Sequence, residues 1–298
     1  MNAFVAEKLG VAKRIYVPHD PHTRFHSQAE FLLRLGLQTR GEPQNGLRVL
    51  APSGSGKTAA AEALVEIIRR AFPDHPHPVV KVSAESSPTP RKLMQSILLQ
   101  FGDRHHKTGT EFQLKQRVYR CFDTFRTMLL IIEEIQHLNQ GFGPRHDTAD
   151  YLKRLLDDGA APIVFMGTED AKKLFEHDLQ LSSRLLEPCD IEPLNRAIDV
   201  DRSLLSNFVS AFDQALVQEG IFSRKSGLEH TLIRGHLHHI SGGVVGRVAR
   251  LLYVAQTIAL RRGGECIEVF DLAQATDTWA IPNGLTEKNP FRQQGGAR

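Results

Sequence analysis

The feature that most constrains the fold is a glycine-rich loop set between an apolar segment and an amphipathic one. The loop reads Ala-Pro-Ser-Gly-Ser-Gly-Lys-Thr over residues 51–58. Residues 47–51 predict a short buried strand before it, and residues 57–72 carry apolar side chains at helical spacing after it. A strand, a loop of small residues and a helix in this order form a P-loop, whose backbone N–H groups surround nucleotide phosphates. The sequence therefore predicts an ATP site at this loop.

The residues of the loop have separate expected roles. We expect the phosphates to be surrounded by five of them, Pro52, Ser53, Gly54, Ser55 and Gly56. Lys57 should reach the β- and γ-phosphates, and the hydroxyl of Thr58 should bind Mg²⁺. The helix that begins here adds its positive dipole end. Ala51 stands where the strict pattern has glycine, a departure that many such loops tolerate.

Strands alternate with helices on both sides of this loop. Apolar segments predict strands at residues 47–51, 79–82, 128–133 and 163–166, with a fifth possible at 189–194. Helices are predicted at residues 57–72, 90–101, 111–125 and from 148 or 150 to 158. This alternation predicts an α/β fold, namely a three-layer αβα core around a parallel sheet. After Pro193 the pattern becomes helical, with segments at 199–219, 228–239, 244–262 and 270–279, which predicts a small all-helical second domain.

These patterns divide the chain into four parts. We expect an N-terminal lead (1–24), a nucleotide-binding core (25–195), a helical lid (196–282) and a flexible C-terminal tail (283–298), because residues 286–298 are polar and glycine-rich. Within the lead and core, Ser27 with Glu30 predicts a capping box for a helix over 27–37. Thr89 followed by Pro90 predicts another helix start.

A second candidate site follows the strand at residues 128–132. Two acids, Glu133 and Glu134, come directly after this apolar run, as in a Walker B strand. The carboxyl edge of a parallel sheet is where nucleotides bind. We expect Glu133 to hold Mg²⁺ through water and Glu134 to act as the base that polarises the attacking water. The usual first acid is Asp, and the longer Glu133 would shift the Mg²⁺ shell.

Three further residues resemble phosphate-reading groups of the AAA+ class of P-loop ATPases. Thr168, after the strand at 163–166, fits a sensor of the γ-phosphate or the N-cap of the next helix. Arg184 fits an arginine finger that reaches a neighbouring subunit, or a surface arginine at a helix end. Arg247 fits the second sensor at the start of a lid helix, with Arg250 as its competitor and plain helix-surface charge as the alternative.

Composition excludes several classes of protein without choosing a partner. The chain of 298 residues has 41% hydrophobic and 24% charged residues, which are ordinary globular values. It lacks an apolar run of the length that a membrane span needs and a signal-peptide pattern at its start, so we expect a cytoplasmic protein without a membrane. Three widely spaced cysteines suggest a reducing compartment. A net charge of +3 neither demands nor excludes nucleic acid.

A basic region at residues 89–117 is the candidate DNA surface. Arg91 and Lys92 fall in the first turn of a predicted helix, where the helix dipole favours acids. Cations at this position favour the binding of an external anion. We expect DNA contacts from Arg91, Lys107 and either Thr108 or Thr110, and the alternative is a solvated basic face. Phosphate contacts of this kind carry no sequence code. The fourteen histidines show no convincing metal-ligand spacing.

The ordered set of motifs resembles the TniB/TnsC family of transposition AAA+ ATPases. The resemblance rests on residues 129–138 (LLIIEEIQHL), 162–168, 243–252 and the lead-in 14–19, and covers about residues 14–275. It implies an ATP-dependent homo-oligomer, a ring or helical filament on double-stranded DNA. It also implies that the protein links a TniQ-type target-selection partner to a DDE-type transposase, with hydrolysis disassembling the filament. In related proteins the DNA-facing loops fall in the basic region.

Two alternatives use the same core. One is a protein-directed switch resembling ExeA-type secretion ATPases, which usually carry a membrane or wall-binding segment after the lid. The other is a helper ATPase resembling IstB or DnaC, which would also bind DNA. A transposase-dependent effect would separate the last alternative from the transposition regulator. The tail, with Phe291 and Arg292, is a candidate peptide for docking on a transposase.

Overall fold

Four parallel strands form the sheet on which the P-loop is built. The structure, a computed structural model, describes residues 2–84, 89–139 and 146–295. The strands are β1 (Gly46–Leu50), β2 (Val79–Ser83), β3 (Leu129–Glu133) and β4 (Ile163–Gly167), in the order β1-β4-β3-β2. All five residues of β4 are buried, because this strand pairs with β1 on one side and with β3 on the other. The predicted parallel sheet is therefore confirmed.

Helices follow the strands in the predicted alternation. The α-helices are α1 (Asn2–Ala12), α2 (Asp20–Gln38), α3 (Lys57–Ala71), α4 (Pro90–Gln100), α5 (Glu111–Phe125), α6 (His146–Asp157), α7 (Lys172–His177), α8 (Leu179–Ser182), α9 (Asp199–Gln218), α10 (Thr231–Ser241), α11 (Val245–Arg261) and α12 (Val269–Ala275). Short 3-10 helices cover Ile135–Asn139, Glu169–Ala171 and Pro290–Gly295, and a π-helix covers Thr276–Ala280.

The chain divides into two compact units. The sheet unit contains residues 21–53 and 57–191, and the helical unit contains residues 1–20, 54–56 and 192–298. The helical unit thus takes in α1 and α9–α12 together with three residues of the phosphate loop. In the described part of the chain, no single helix is long and apolar enough to cross a membrane. Helices α10 and α11 pass that test only when counted together, and they are bent by 114° at their junction.

The sheet unit has one core on each face of its sheet. Side chains of a strand alternate between the two faces. Leu130 and Ile132 pack with α4, α5 and α6 on one face, whereas Leu129 and Ile131 pack with α2 and α3 on the other. All four side chains are fully buried. The P-loop helix α3 therefore covers the face to which odd-numbered residues of β3 point.

Local signals at helix starts give one confirmed and one wrong prediction. Thr89 is the N-cap of α4, and its hydroxyl accepts a hydrogen bond from the N–H of Lys92 at 3.2 Å. Ser27 lies inside α2 instead of capping it, because the helix already begins at Asp20. An acid at the first turn and Pro21 next to it are both favourable at a helix start. Helix α1 was not predicted.

The possible fifth strand is absent as a regular strand in the described residues, yet part of it pairs with β1. The N–H groups of Cys189 and Ile191 donate to the carbonyls of Arg48 and Leu50 at 2.8 and 2.7 Å. Pro193 has no N–H to continue such a ladder. The prediction of a strand over 189–194 is therefore wrong in extent, although its first residues extend the sheet edge.

In the helical unit, an ion pair joins Arg262, the C-cap of α11, to Asp271 of α12. Asp271 is fully buried, and its two carboxylate oxygens accept hydrogen bonds from Arg262 Nε at 2.8 Å and Nη2 at 2.7 Å. The N–H of Glu268 donates to the same carboxylate at 2.8 Å. Because all these donors converge on one carboxylate, its burial is compensated.

The predicted mobile tail packs on the helical unit instead. Phe291 is 7% exposed and joins the hydrophobic core, with its ring 5.1 Å from that of His236. Asn289 donates to the carbonyl of Ala273 at 2.8 Å, and Arg292 pairs with Asp277 at 2.6 Å. The prediction of flexibility from composition is wrong for this stretch, because one aromatic side chain finds a core site. Residues 296–298 lie outside the described part.

We expect Phe291→Ala to destabilise the helical unit by about 2–4 kcal/mol, since it removes a buried aromatic side chain. Phe270→Ala is the matched control, because Phe270 is 55% exposed in the same unit; its effect should stay within about 0.5 kcal/mol. Urea unfolding followed by the fluorescence of Trp279, the single tryptophan, measures both. Equal stability of the two variants would contradict the packing of the tail.

Candidate nucleotide-binding site

The phosphate loop has the backbone conformation that its glycines permit. It connects the end of β1 at Leu50 to the start of α3 at Lys57. Gly54 and Gly56 have φ angles of +77° and +91°, in the region that residues with a side chain rarely adopt. Such conformations turn successive N–H groups toward one point and create an anion-binding concavity. The local geometry is therefore that of a phosphate site.

Lys57, the first residue of α3, reaches back to the start of this loop. Its ammonium group donates to the carbonyls of Ala51 at 2.9 Å and of Pro52 at 3.2 Å, and the residue is 9% exposed. Burial lowers the pKa of Lys57, while the carboxylates of Glu134 and Glu133 act in the opposite direction. The carboxylates of Glu134 and Glu133 therefore offset part of the effect of burial on the pKa of Lys57.

The two acids leave β3 in different ways. Glu133 is the last residue of the strand, and its side chain is 12% exposed. Glu134 has a φ of +59°, a left-handed conformation that is uncommon for a residue other than glycine. Such backbone strain is concentrated at functional sites. The left-handed turn separates the two consecutive carboxylates, so that they can serve different roles.

The oxygen donors present at this edge fit a magnesium ion. Mg²⁺ is usually held by one or two carboxylates, waters and phosphate oxygens. Glu133 supplies a largely buried carboxylate, and Thr58 supplies a hydroxyl in the first turn of α3. These two residues are the ones that would hold the ion.

Gln136 connects the second acid to the next strand, a link that sequence reasoning missed. Its Nε2 donates to Glu134 Oε2 at 2.5 Å, and its Oε1 accepts the N–H of Thr168 at 3.1 Å. The side chain is buried, and a Cβ at Gly167 would lie 2.9 Å from its Oε1, so a side chain at position 167 would displace this amide. The available signal was a further polar residue, Gln136, two positions after the second acid.

Thr168 occupies the N-cap position of the 3-10 helix that begins at Glu169, but its side chain makes no capping hydrogen bond. Its hydroxyl lies 3.4 Å from Asp170 Oδ2. The position matches the N-cap alternative, whereas the hydroxyl does not perform the capping role. Through Gln136, the backbone of Thr168 is joined to Glu134, as expected if the two residues work together.

Arg184 is not part of this cluster. Its Nε and Nη2 donate to the two carboxylate oxygens of Asp157 at 2.6 and 2.8 Å, and its Nη1 donates to the carbonyl of Gln180. The hydrogen bond from Arg184 lowers the pKa of Asp157. The guanidinium is therefore held within its own chain, and a role at a neighbouring subunit requires the exchange of this bidentate pair.

Within the helical unit, Arg247 lies beside the loop residues that belong to that unit. A Cβ at Gly54 would lie 3.3 Å from Arg247 Cγ, and a Cβ at Gly246 would lie 2.2 Å from the Gly54 carbonyl oxygen. Gly246 therefore permits the close approach of α11 to residues 54–56. Arg250 instead lies over the ring of Tyr253, at 5.5 Å. Of the two predicted candidates, Arg247 is the one next to the loop.

The structure places Arg91 next to Lys107 on the candidate DNA surface. Arg91 Nη2 approaches the carbonyl of Lys107 at 3.5 Å, and Gln95 Nε2 donates to the same carbonyl at 3.3 Å. Lys107 is exposed. These contacts hold the Arg91 side chain against the backbone of Lys107.

The two threonines of the same region have local structural roles. Thr108 donates its hydroxyl to the carbonyl of His105 at 2.9 Å. Thr110 forms a full capping box with Gln113 at the start of α5. Both threonines are exposed. Their hydroxyls therefore shape the loop, and an exposed hydroxyl remains able to accept further contacts.

We expect Gln136→Ala to lower the rate of ATP hydrolysis on the order of tenfold, because a residue that orients a catalytic group typically has an effect of this size. Nucleotide affinity should change little, since Gln136 does not lie in the phosphate loop. Isothermal titration and a steady-state phosphate-release assay measure the two quantities.

The matched control is Gln44→Ala. Gln44 is equally buried and donates to the carbonyls of Thr39 and Glu42 at 2.7 and 3.0 Å, next to the start of β1. It should lower stability without lowering turnover per folded molecule. A Gln136→Ala enzyme with wild-type turnover would contradict the coupling of Glu134 to Thr168.

Comparison with known proteins extends these observations. Residues 21–193 match the family model of the bacterial TniB protein. The ORC1-type DNA replication protein 1 of Sulfolobus acidocaldarius is 26% identical over 244 residues, which cover 80% of this chain and 58% of that protein. The chain therefore spans less than two thirds of that relative.

Solved structures with the same fold include two from Aeropyrum pernix. The ORC2 protein in its ADPNP–ADP complexes has a TM-score of 0.64 at 16% identity, covering 90% of this chain and 71% of that one. The ORC1 protein in complex with DNA has a TM-score of 0.61 at 18% identity, covering 90% and 68%. These likenesses confirm the predicted fold class, an αβα P-loop core of the AAA+ type followed by helices.

Proposed function

Since the chain belongs to the family of bacterial TniB proteins, we propose that it is an ATP-dependent, DNA-binding AAA+ ATPase that regulates DNA transposition. The observation that carries the ATPase part is the cluster at the carboxyl edge of the sheet. There the carboxylates of Glu134 and Glu133 oppose the lowering of the pKa of the P-loop lysine by burial. Gln136 connects Glu134 to Thr168 through hydrogen bonds. A nucleotide site at this edge of an open parallel sheet is the general rule.

In the proposed mechanism each group acts on a different part of the nucleotide. The N–H groups of residues 53–56 bind the phosphates, and Lys57 exchanges its carbonyl partners for phosphate oxygens. Bound Mg²⁺ supplies charge neutralisation of the phosphates. Glu134 orients the attacking water and accepts its proton, while Gln136 holds that carboxylate. Arg247, which lies beside Gly54 of the loop, would add positive charge there.

The proposed DNA contact is to the phosphate backbone. Arg91 and Lys107 lie next to each other in a region that includes the exposed hydroxyls of Thr108 and Thr110. Such contacts position a protein on DNA without reading its sequence, which suits a protein that must act at many targets. The complex of the Aeropyrum pernix ORC1 protein with DNA supports the proposal only by analogy of fold.

Assembly and partners complete the proposal. ATP-bound molecules would form a homo-oligomer, a ring or helical filament, on target duplex DNA in the cytoplasm. Arg184 would leave Asp157 and reach the ATP of the neighbouring subunit as an arginine finger. The oligomer would connect a TniQ-type target-selection protein to a DDE-type transposase, and ATP hydrolysis would disassemble it. The resemblance to the family supports the proposal of these roles.

A second candidate function is a helper ATPase of DNA replication. The similarity to an ORC1-type replication protein favours it, and both functions would use the same nucleotide and DNA surfaces. The two differ in the partner. A change in DNA strand transfer that requires a cognate transposase supports the transposition regulator, and an effect on replication without a transposase supports the helper.

We expect the purified protein to bind random-sequence duplex DNA with ATP but much more weakly with ADP or without nucleotide. Electron microscopy of the ATP sample should show rings or filaments on the DNA. Glu134→Gln should keep ATP binding, lose hydrolysis and prolong the DNA complex, because it removes the proposed base. Absence of DNA binding in every nucleotide state would contradict the proposal and favour a protein-directed switch.

Replacement of both Arg91 and Lys107 by Gln should weaken DNA binding for all sequences alike. Each lost phosphate contact should reduce the slope of log affinity against log salt by about one. Lys172→Gln is the control, because Lys172 is exposed in the same unit and pairs with Glu176 outside the basic region. An unchanged salt slope in the double variant would remove these residues from the DNA surface.

A further inference from the structure

A lysine outside the recognised motifs pairs with the acid that is expected to hold Mg²⁺. The ammonium group of Lys81, in the middle of β2, lies 3.1 Å from Glu133 Oε2 and 3.5 Å from Glu62 Oε1. The side chain of Lys81 is 25% exposed and that of Glu133 is 12% exposed. The pair is therefore only partly screened by solvent.

The sheet register explains why these groups meet. Lys81 pairs with Ile131, and Ser83 pairs with Glu133, so Lys81 and Glu133 lie one pleat apart on the same face of the sheet. Helix α3 covers this face. Glu62 follows Thr58 by four residues on that helix, which places the two side chains on one side of it. The ammonium group thus lies against Glu133, and its second partner, Glu62, is one helical turn after Thr58.

This arrangement explains why position 133 has Glu instead of the usual Asp. A carboxylate that must meet both a metal ion and a lysine on the neighbouring strand needs reach, and Glu is one methylene longer than Asp. A monovalent cation beside a divalent site opposes the binding of the divalent ion, because like charges repel. The same monovalent cation pairs with the carboxylate when the divalent ion is absent, because a buried acid requires a charged or hydrogen-bonding partner.

We propose that Lys81 is a resident counter-cation of the magnesium site, which holds Glu133 in place and competes with Mg²⁺ for it. The inference rests on the proposed ATPase function and adds a regulatory property to it. Tight nucleotide binding then requires enough Mg²⁺ to displace Lys81 from Glu133. Lys81 is a positioning residue in this account, since it acts through Glu133 and not on the nucleotide.

The test is the Mg²⁺ concentration that half-saturates the tightening of ADP binding, followed with a fluorescent ADP and without hydrolysis. Lys81→Gln and Lys81→Met both remove the charge, and each should lower this concentration on the order of fivefold, as expected from Coulomb repulsion near a divalent ion. The affinity for ADP without Mg²⁺ should stay within about twofold. Lys81→Arg keeps the charge and should resemble the wild type.

The matched control is Lys115→Gln. Lys115 is an ion-paired lysine of similar exposure, 31%, and it lies 3.7 Å from Asp158 on another part of the same unit. It should leave the Mg²⁺ dependence unchanged. Far-UV circular dichroism establishes whether each variant is folded. If Lys81→Met does not fold, the comparison of Lys81→Gln with Lys81→Arg is sufficient for the test.

The outcomes separate this inference from the proposed function. A wild-type protein whose ADP binding ignores Mg²⁺ contradicts both. Mg²⁺-dependent binding by the wild type with an unchanged or raised half-saturating concentration in Lys81→Gln overturns the counter-cation alone. A lowered concentration in both uncharged variants, with Lys81→Arg and Lys115→Gln like the wild type, supports it.

Discussion

The parallel pairing of β4 with both β1 and β3 is the constraint on which the candidate site depends. Because the three strands run in the same direction, their carboxyl ends meet at one edge. The P-loop follows β1 and Thr168 follows β4, while Glu133 is the last residue of β3 and Glu134 comes directly after it. The complete burial of β4 requires helices on both faces, and α3 starts at the same edge as the loop. The packing that buries the apolar strand β4 therefore also brings the polar groups of the candidate site to one edge of the sheet.

Buried positive and negative charges balance one another at this edge of the sheet. Two lysines, Lys57 and Lys81, are largely buried. The ammonium group of Lys81 lies 3.1 Å from Glu133 Oε2, and the carboxylates of Glu134 and Glu133 oppose the lowering of the Lys57 pKa by burial. Lys57 is additionally held by backbone carbonyls. Buried cations need such partners, since an unpaired charge in this environment is costly. In the function we propose, phosphate oxygens replace the carbonyl partners of Lys57, and a metal ion replaces Lys81 as the partner of Glu133.

The sequence allowed the fold to be predicted where signals are local. Apolar runs located all four strands, the P-loop and its helix, and Thr89 with Pro90 located the start of α4. Long-range contacts could not be predicted: Gln136 reaches Thr168 across 32 positions, and Lys81 reaches Glu133 through strand register. The burial of Phe291 was missed for the same reason, because composition describes a segment and not the surface on which it packs.

The central claim is that the carboxyl edge of the sheet binds ATP through the P-loop lysine. Equilibrium binding of a fluorescent ATP analogue to the wild type and to Lys57→Ala tests it most directly, with circular dichroism to establish that the variant is folded. The account predicts saturable Mg²⁺-dependent binding by the wild type and an affinity lower by about tenfold or more in the variant, since one charge-assisted contact to phosphate is lost. Equal affinities of the two proteins would place the nucleotide elsewhere and contradict the account.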